Sequence, residues 1–141
     1  MAFRLETERL VLRRLVDSDA EDFSRYRSDP AVARYQGWEA PYSLERARQY
    51  IASMGPIPPQ APGEWVQIGL GLKPGDELIG DCGFKRLAED GMQAEIGFTL
   101  AAPYQRQGYG TEAVSRLIDY FFADLGLRRV RANIDPANQA S

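Results

Sequence analysis

Histidine is absent from this sequence of 141 residues, and cysteine occurs once, at Cys82. Without histidine the chain cannot build a serine–histidine–aspartate triad, most zinc sites or the commonest general base. A single cysteine allows no internal disulfide and no cysteine-rich metal site, so we expect no metal and a cytoplasmic location. Any proton transfer must therefore use a carboxylate, water or a backbone group.

Long apolar runs and an excess of positive charge are also missing. Lys and Arg number 17 against 20 Asp and Glu, which gives a net charge of -3 and a pI of about 5.0. This balance disfavours nucleic acid as a partner, whereas a small anionic ligand needs only a local cluster of donors. No segment is apolar enough to cross a bilayer, so we expect no membrane partner. The length suits one domain over residues 1–141.

The first half of the chain predicts one strand followed by two helices. Apolar residues 10–12 stand between arginines, as is typical of a short strand. The spacing of Ser18 and Glu21 is that of a capping box and predicts a helix that Pro30 interrupts. Ser43 is placed to cap a second amphipathic helix. The four prolines of residues 55–63 then predict a surface loop.

Three runs in the middle of the chain alternate apolar and polar residues, as half-buried strands do. They cover residues 65–72, 78–84 and 92–100, and we expect Leu78 and Phe84 to share one face. Residues 73–76, Lys-Pro-Gly-Asp, suit a type II turn, and residues 90–91, Asp-Gly, suit a hairpin turn. A strand after the last helix should end at Pro136. Such a meander with helices against it predicts an α+β fold.

The most informative stretch is a long amphipathic helix that begins with two glycines, Gly108 and Gly110. Apolar residues recur along it at the spacing that places them on one face: Val114, Leu117, Ile118, Phe121, Phe122 and Leu125. The first N–H groups of a helix have no internal partners, so a start flanked by glycines is suited to a phosphate. Arg106 and Thr111 could add to that site. Alternatively, the glycines only let a tight loop enter a packed helix.

The run QRQGYGTEA at residues 105–113 resembles the acetyl-CoA pyrophosphate loop, Q/R-x-x-G-x-G/A, of the GNAT superfamily of N-acetyltransferases. Its neighbours occur in the family's order: ERLVLR at residues 8–13, EIGF at residues 95–98 and NQAS at residues 138–141. The continuation GTEA at residues 110–113 resembles the branch that acetylates N-terminal alanines of ribosomal proteins and its many relatives. The resemblance implies a mixed, mostly antiparallel sheet flanked by helices, with acetyl-CoA as cosubstrate and an amine as acceptor.

The resemblance also implies roles for individual residues. In the family, the strand before the loop binds the pantetheine arm through its backbone, which assigns Phe98, Thr99 and Leu100 to that arm. An asparagine that also touches pantetheine corresponds to Asn138. The pyrophosphate falls to the loop and helix start, which comprise Gln105, Arg106, Gln107, Gly108, Tyr109, Gly110 and Thr111. Tyr35 and Trp38 fall in the region that forms part of the acceptor site, although each could simply cover the core.

The implied reaction is direct attack of a neutral amine on the thioester. Glu95 corresponds to a glutamate that serves as base in some family members, although a glutamate on the polar side of a strand is usually only solvated. Ser141 corresponds to a serine proposed to protonate the departing thiolate. An α-amino group has a pKa of about 7.7 to 8.0, against about 10.4 for lysine, so a site without histidine favours α-amines or small-molecule amines.

Two further interpretations remain open at this stage. The motif Gly108-x-Gly110-x-x-Ala113 also fits a dinucleotide fingerprint, with Asp135 as the ribose ligand, although a polar, Pro-containing segment precedes the first glycine. The other interpretation is a non-catalytic CoA-binding or interaction module. The family continues into further strands where this sequence ends at Ser141, so we expect the last strand to present an open edge. A second copy of the chain in a homodimer, or the rest of a longer enzyme, would then cover it.

Overall fold

A computed structural model describes residues 4–33, 41–54, 65–86, 93–124 and 129–132 of this protein. Within these residues the backbone forms one sheet of six strands, ordered as they occur in the chain. The strands are β1 (Arg4–Glu6), β2 (Leu10–Arg14), β3 (Trp65–Leu72), β4 (Glu77–Arg86), β5 (Gln93–Leu100) and β6 (Arg129–Ala132). The predicted α+β class is confirmed, and the predicted strands appear together with the short β1, which the sequence pattern did not reveal.

The direction of the strands excludes a dinucleotide-binding domain. Strands β1 to β5 pair antiparallel with one another, and β5 and β6 alone among the described strands are parallel. The β5–β6 pairing covers Gln93 to Ile96, whereas the β4–β5 pairing continues to Leu100. From Gly97 onward β5 therefore has a described neighbour on one side only.

Helices cover both faces of the sheet. They are α1 (Ala20–Arg27), α2 (Pro30–Ala33), α3 (Leu44–Met54) and α4 (Tyr109–Asp119), the last continuing into a π-helical turn at Tyr120–Asp124. The core has two parts: one lies between the sheet and α4 around Ile68, Phe84 and Leu117, and the other is centred on Phe23 and Ile51 of α1 and α3.

A bulge corrects the predicted face of β4. Leu70 pairs with Gly80 while the next residue, Gly71, pairs with Leu78, so Ile79 is the extra residue. An extra residue reverses the alternation of side chains along a strand. Leu78 therefore packs with α1 and α3, whereas Phe84 packs under α4.

The buried face of α4 also differs from the predicted stripe. Leu117 and Phe121 are buried as expected, but Phe122 is 44% exposed, and Leu125 lies outside the described residues. Buried in its place are small residues near the helix start and an aromatic one at its end: Gly110, Ala113 and Tyr120. Small side chains let a helix approach a sheet closely, so the contact face is rotated toward them.

Two local predictions on the first helix and the turn after β3 are wrong in detail. Helix α1 begins at Ala20 after a 3-10 turn, and the Asp19 carboxylate, rather than Ser18, accepts from the Val16 amide at 2.8 Å. The turn after β3 places Asp76, not Gly75, at a positive φ of 63°. The Asp76 carboxylate accepts from Arg13 Nε at 3.0 Å, which holds it in that conformation.

Candidate active site

The loop between β5 and α4 presents a row of backbone amides. A 3-10 turn at Ala102–Tyr104 precedes it, and α4 begins at Tyr109 with Gly108 as its N-cap at φ 85°. In the described part of the chain, no hydrogen bond engages the amides of residues 106–111. Gly108, Arg106 and Gln107 are exposed, so this helix start has the donors and the open approach that an anion requires.

A carboxylate in the first turn of α4 connects this loop to the β1–β2 connection. Glu112 accepts from Arg9 Nε at 2.7 Å, from the Arg9 amide at 3.0 Å and from the hydroxyl of Thr7. Burial raises the pKa of Glu112, but the hydrogen bonds from Thr7 and Arg9 outweigh it and hold that pKa below its usual value. The carboxylate is therefore ionised at neutral pH and cannot serve as an acid there.

Arg9 also contacts the cofactor loop directly, at Gln107 and Tyr109. Its Nη1 donates to the Gln107 carbonyl at 3.1 Å, and its guanidinium carbon lies 4.1 Å from the centroid of the Tyr109 ring. A Cβ atom added at Gly108 would lie 3.3 Å from Arg9 Nη2. The sequence motif includes Glu112, but nothing in its spacing revealed that Arg9, far away in the chain, is its partner.

Gly110 brings the helix start against β5. A Cβ atom at this position would lie 2.6 Å from Phe98 Cε2, which is closer than two carbon atoms can approach without a shift. The side chain of Gln105 donates to the Leu100 carbonyl at 3.0 Å and closes the loop onto the same strand. The loop amides and the end of β5 thus lie side by side, and the hydrogen bond from Gln105 to Leu100 stabilises this arrangement.

A cleft of about 600 Å³ adjoins the end of β5 on the face opposite α4. One wall consists of Gly97, Phe98 and Thr99, beside which β4 is the one described strand. A Cβ atom added at Gly97 would meet nothing within 4 Å, so this part of the strand is open. The rest of the lining comes from α1, α3, β3, β4 and the residue before Ser43: Arg27, Tyr42, Arg46, Gln49, Tyr50, Trp65, Gln67 and Gly83.

A buried polar network forms the floor of this cleft. Asp81 has no exposed surface, and it accepts from Arg27 Nη2 at 3.0 Å, from the Tyr26 hydroxyl and from the Gln67 amide. Gln67 Oε1 in turn accepts from Trp65 Nε1 at 2.9 Å. Burial, reinforced by the charge of Asp81, raises the pKa of Tyr26 well above its usual value. The charge of Asp81 inside an otherwise apolar strand is a sequence feature that points to this residue, but it does not indicate its partners.

The predicted catalytic and acceptor residues have different outcomes. Glu95 is partly buried and lies on the same face of β5 as Gly97, beside Lys85 of β4 in the register, but it does not line the cleft. The other predicted residues lie outside the described part of the chain: Ser141, Asn138, Tyr35 and Trp38. Their roles stay predictions.

The described segments show neither a metal-binding cluster nor a membrane-spanning helix. No group of three or more Asp, Glu, Cys or His residues that could hold a metal ion was found there. None of the described helices combines the length and apolar character needed to cross a membrane.

Comparisons with known proteins agree with this geometry. A family model described as an acetyltransferase (GNAT) domain matches residues 9–141. The uncharacterised N-acetyltransferase p20 of Bacillus licheniformis is 35% identical over 137 residues, which cover 97% of this chain and 76% of that protein.

Solved structures share the fold. A GNAT-family acetyltransferase from Bacillus anthracis has a TM-score of 0.83 at 24% identity, covering 99% of this chain and 78% of that one. RimJ of Mycobacterium smegmatis, solved with CoA-disulfide, has a TM-score of 0.76 at 18% identity, covering 99% and 69%. The predictions of an acyltransferase enzyme and of the superfamily are confirmed. The family match and the similarity to p20 show that this chain belongs to the GNAT acetyltransferases.

Proposed function

We propose that this enzyme moves the acetyl group of acetyl-CoA to a primary amine, either at a protein N-terminus or on a small molecule. One observation carries the proposal: the amides of residues 106–111, which make no hydrogen bond within the described residues, lie next to the end of β5, where β4 is the one strand described beside it. A helix N-terminus suits a diphosphate, and an open strand edge suits an extended group that carries amides of its own. Acetyl-CoA has both parts in one molecule.

The cofactor contacts that we propose combine this juxtaposition with the roles that the family resemblance implies. The backbone of Phe98, Thr99 and Leu100 would bind the pantetheine arm, and Asn138 would add a side-chain contact. The diphosphate would lie on the amides of Arg106, Gln107, Gly108, Tyr109, Gly110 and Thr111. Gln105 would act indirectly, because its side chain already donates to Leu100.

The transfer needs no covalent enzyme intermediate. The amine nitrogen attacks the thioester carbonyl carbon, a C–N bond forms and the C–S bond breaks. The nitrogen gives up a proton, and the sulfur leaves as a thiolate that takes up a proton to become CoA. We assign the base to Glu95, acting through water, because it lies on the cleft side of β5 two residues before Gly97. We assign protonation of the thiolate to Ser141.

An α-amine or small-molecule amine is the favoured acceptor. Glu95 lies off the cleft lining, so proton removal would be modestly assisted. An α-amino group, with a pKa of about 7.7 to 8.0, needs less help at neutral pH than lysine does. Tyr35 and Trp38 are proposed to contact this acceptor.

A CoA-release assay with the valine variants of two glycines tests the cofactor assignment. Gly108→Val forces a side chain into a backbone with φ 85° and toward Arg9, so acetyl-CoA binding and turnover should both be lost. Gly75→Val is the matched control, because a Cβ atom there meets nothing within 4 Å. Release of CoA by the control but not by Gly108→Val is expected, whereas equal acetyl-CoA affinity in both variants would refute the loop assignment.

The partner proposal concerns β6. This strand has one neighbour in the described sheet, and strand edges are commonly covered by another chain or segment. We propose that a second copy covers it in a homodimer. Sedimentation of a fully active monomer at micromolar concentration would contradict the homodimer without affecting the acetyl-transfer proposal.

A further inference from the structure

The charge of the cleft beside β5 is uneven. Arg27 and Arg46 both line it, and no described lining residue is an aspartate or glutamate. The charge of Arg27 is balanced by Asp81, a buried residue beneath the cleft lining, because Arg27 Nη2 lies 3.0 Å from the Asp81 carboxylate. Among the described lining residues, Arg46 therefore carries a positive charge that no described carboxylate balances.

Arg46 lies at the first turn of α3, with its side chain exposed toward the cleft. Its guanidinium carbon lies 4.4 Å from the centroid of the Tyr42 ring, a stacking geometry that leaves the edge N–H groups available. Within the described segments, none of the ion pairs involves this arginine. Arg46 is thus a cation that is positioned by the Tyr42 ring and has no described acidic partner.

Aromatic side chains form much of the remaining wall. Tyr42, Tyr50 and Trp65 line the cleft together with the amide of Gln67. Hydrogen bonds to Gln67 Oε1 fix Trp65 through its Nε1 at 2.9 Å and Tyr50 through its hydroxyl at 3.3 Å. An occupant therefore meets flat, mostly apolar surfaces whose orientation is set beforehand.

This arrangement discriminates among amines. An acceptor with several positive charges, such as a polyamine, would bring like charge toward Arg46 without a described carboxylate to offset it. An amine that also carries a carboxylate would place opposite charge there, and the planar guanidinium matches a carboxylate with two parallel hydrogen bonds. The cleft thus favours anionic over cationic acceptors.

We propose that the acceptor is an amine bearing a carboxylate, and that Arg46 binds this carboxylate while the amine faces Gly97 and Thr99. This inference rests on the proposed function, which places the thioester beside the same β5 residues. The carboxylate takes no part in the bond changes: nitrogen still attacks the carbonyl carbon, sulfur leaves, and Glu95 or water accepts the amine proton. Arg46 is therefore a specificity-determining residue and not a catalytic one.

Matched acceptors test the inference with the full chain in a CoA-release assay. One pair is L-phenylalanine and L-phenylalaninamide, and the other is 4-(aminomethyl)benzoate and 4-(aminomethyl)benzamide, which separates amine and carboxylate further. Spermidine serves as the cationic acceptor. The variants are Arg46→Gln and Arg46→Glu, with Arg48→Gln as control, because Arg48 is exposed on the same helix but does not line the cleft.

The wild type should prefer the carboxylate member of at least one pair by about tenfold or more in kcat/KM, the range expected of a charge-assisted hydrogen bond. Arg46→Gln should reduce that preference at least fivefold through KM for the amine, and Arg46→Glu should reverse it. Arg48→Gln should keep it, and KM for acetyl-CoA should stay constant in all four proteins. Comparing variants cancels the different basicities of the paired amines.

Two groups of outcomes distinguish failure of this inference from failure of the proposed function. Equal use of both members of each pair, faster use of spermidine, or a preference unchanged in Arg46→Gln would overturn the role of Arg46 while leaving amine acetylation intact. CoA release with none of the amines would overturn the proposed function and this inference together.

Discussion

Replacing Glu112 by glutamine tests whether the fastening between the β1–β2 connection and α4 organises the cofactor loop. The carboxylate accepts from the backbone and side chain of Arg9 at 3.0 and 2.7 Å and from Thr7. Glutamine has nearly the same shape but lacks the charge. The substitution therefore removes the charge-assisted part of three hydrogen bonds without opening a cavity.

The expected loss can be worked from these contacts. A hydrogen bond to a charged group contributes about 1.5–3 kcal/mol and a neutral one about 0.5–1.5, a difference of roughly 1 kcal/mol per bond. The Arg9 side chain is 39% exposed, so solvent screens part of the ion pair. We expect Glu112→Gln to lower the free energy of unfolding by about 2 kcal/mol. For a domain of this size that corresponds to about 7 °C in Tm.

The same change should weaken acetyl-CoA binding. Arg9 also donates to the Gln107 carbonyl and covers Tyr109, so a released Arg9 leaves the loop to be ordered by the ligand. If acetyl-CoA binding must supply half of the lost stability, about 1 kcal/mol, to order the loop, Kd for acetyl-CoA rises about fivefold. Urea unfolding and calorimetric titration with acetyl-CoA measure the two quantities.

Glu45→Gln is the control for this experiment, because Glu45 is an exposed acidic residue in the first turn of α3. This substitution also removes a negative charge near a helix N-terminus, but it breaks no hydrogen bonds equivalent to those that Glu112 accepts from Thr7 and Arg9. Values for Glu112→Gln that match this control within about 0.5 kcal/mol would refute the assigned role.

Four further predictions concern Glu112 and three other residues of the site. Folding lowers the pKa of Glu112, so its contribution to the free energy of unfolding is present above the ordinary value of 4.5 and is lost as pH falls through the lower folded value. The stability advantage of wild type over Glu112→Gln should therefore shrink below pH 4.5 in urea titrations. Gly110→Val should raise Kd for acetyl-CoA more than about tenfold in calorimetry, because the new Cβ would lie 2.6 Å from Phe98, and an unchanged Kd would contradict that contact. Glu95→Gln should lower kcat at least about tenfold with Kd for acetyl-CoA unchanged, and an unaltered kcat would exclude it as base. Asp81→Asn should cost about 3–5 kcal/mol in urea unfolding, because it leaves a buried guanidinium without its counter-charge, and a loss below about 1 kcal/mol would contradict this.

The periodic features of the fold could be predicted from the sequence because they repeat locally. Alternation predicted β3, β4 and β5, and the Ser43 cap predicted α3, whose Arg46 amide donates to Ser43 Oγ at 3.0 Å. The bulge at Ile79 could not be predicted, because the alternation on either side of it looks unbroken in the sequence. The periodic pattern misplaces Phe122, because it reflects large apolar residues and not the small ones that permit close packing.

The candidate site divides in the same way. Gly108 and Gly110 lie two positions apart in the loop motif, so the sequence pointed to the anion site directly. The pairing of Glu112 with Arg9, and of Asp81 with Arg27, joins residues that are 103 and 54 positions apart. Such pairs depend on how the sheet brings distant segments together, and a single sequence carries no local signal for them.

The most direct measurement of the central claim is a titration of 15N-labelled protein with acetyl-CoA, followed by the backbone amide signals. If the amides of residues 106–111 bind the diphosphate, their signals, above all those of Gly108 and Gly110, should shift most and saturate with the calorimetric Kd. Saturation of the protein with acetyl-CoA while these six amide signals stay unchanged would contradict the account.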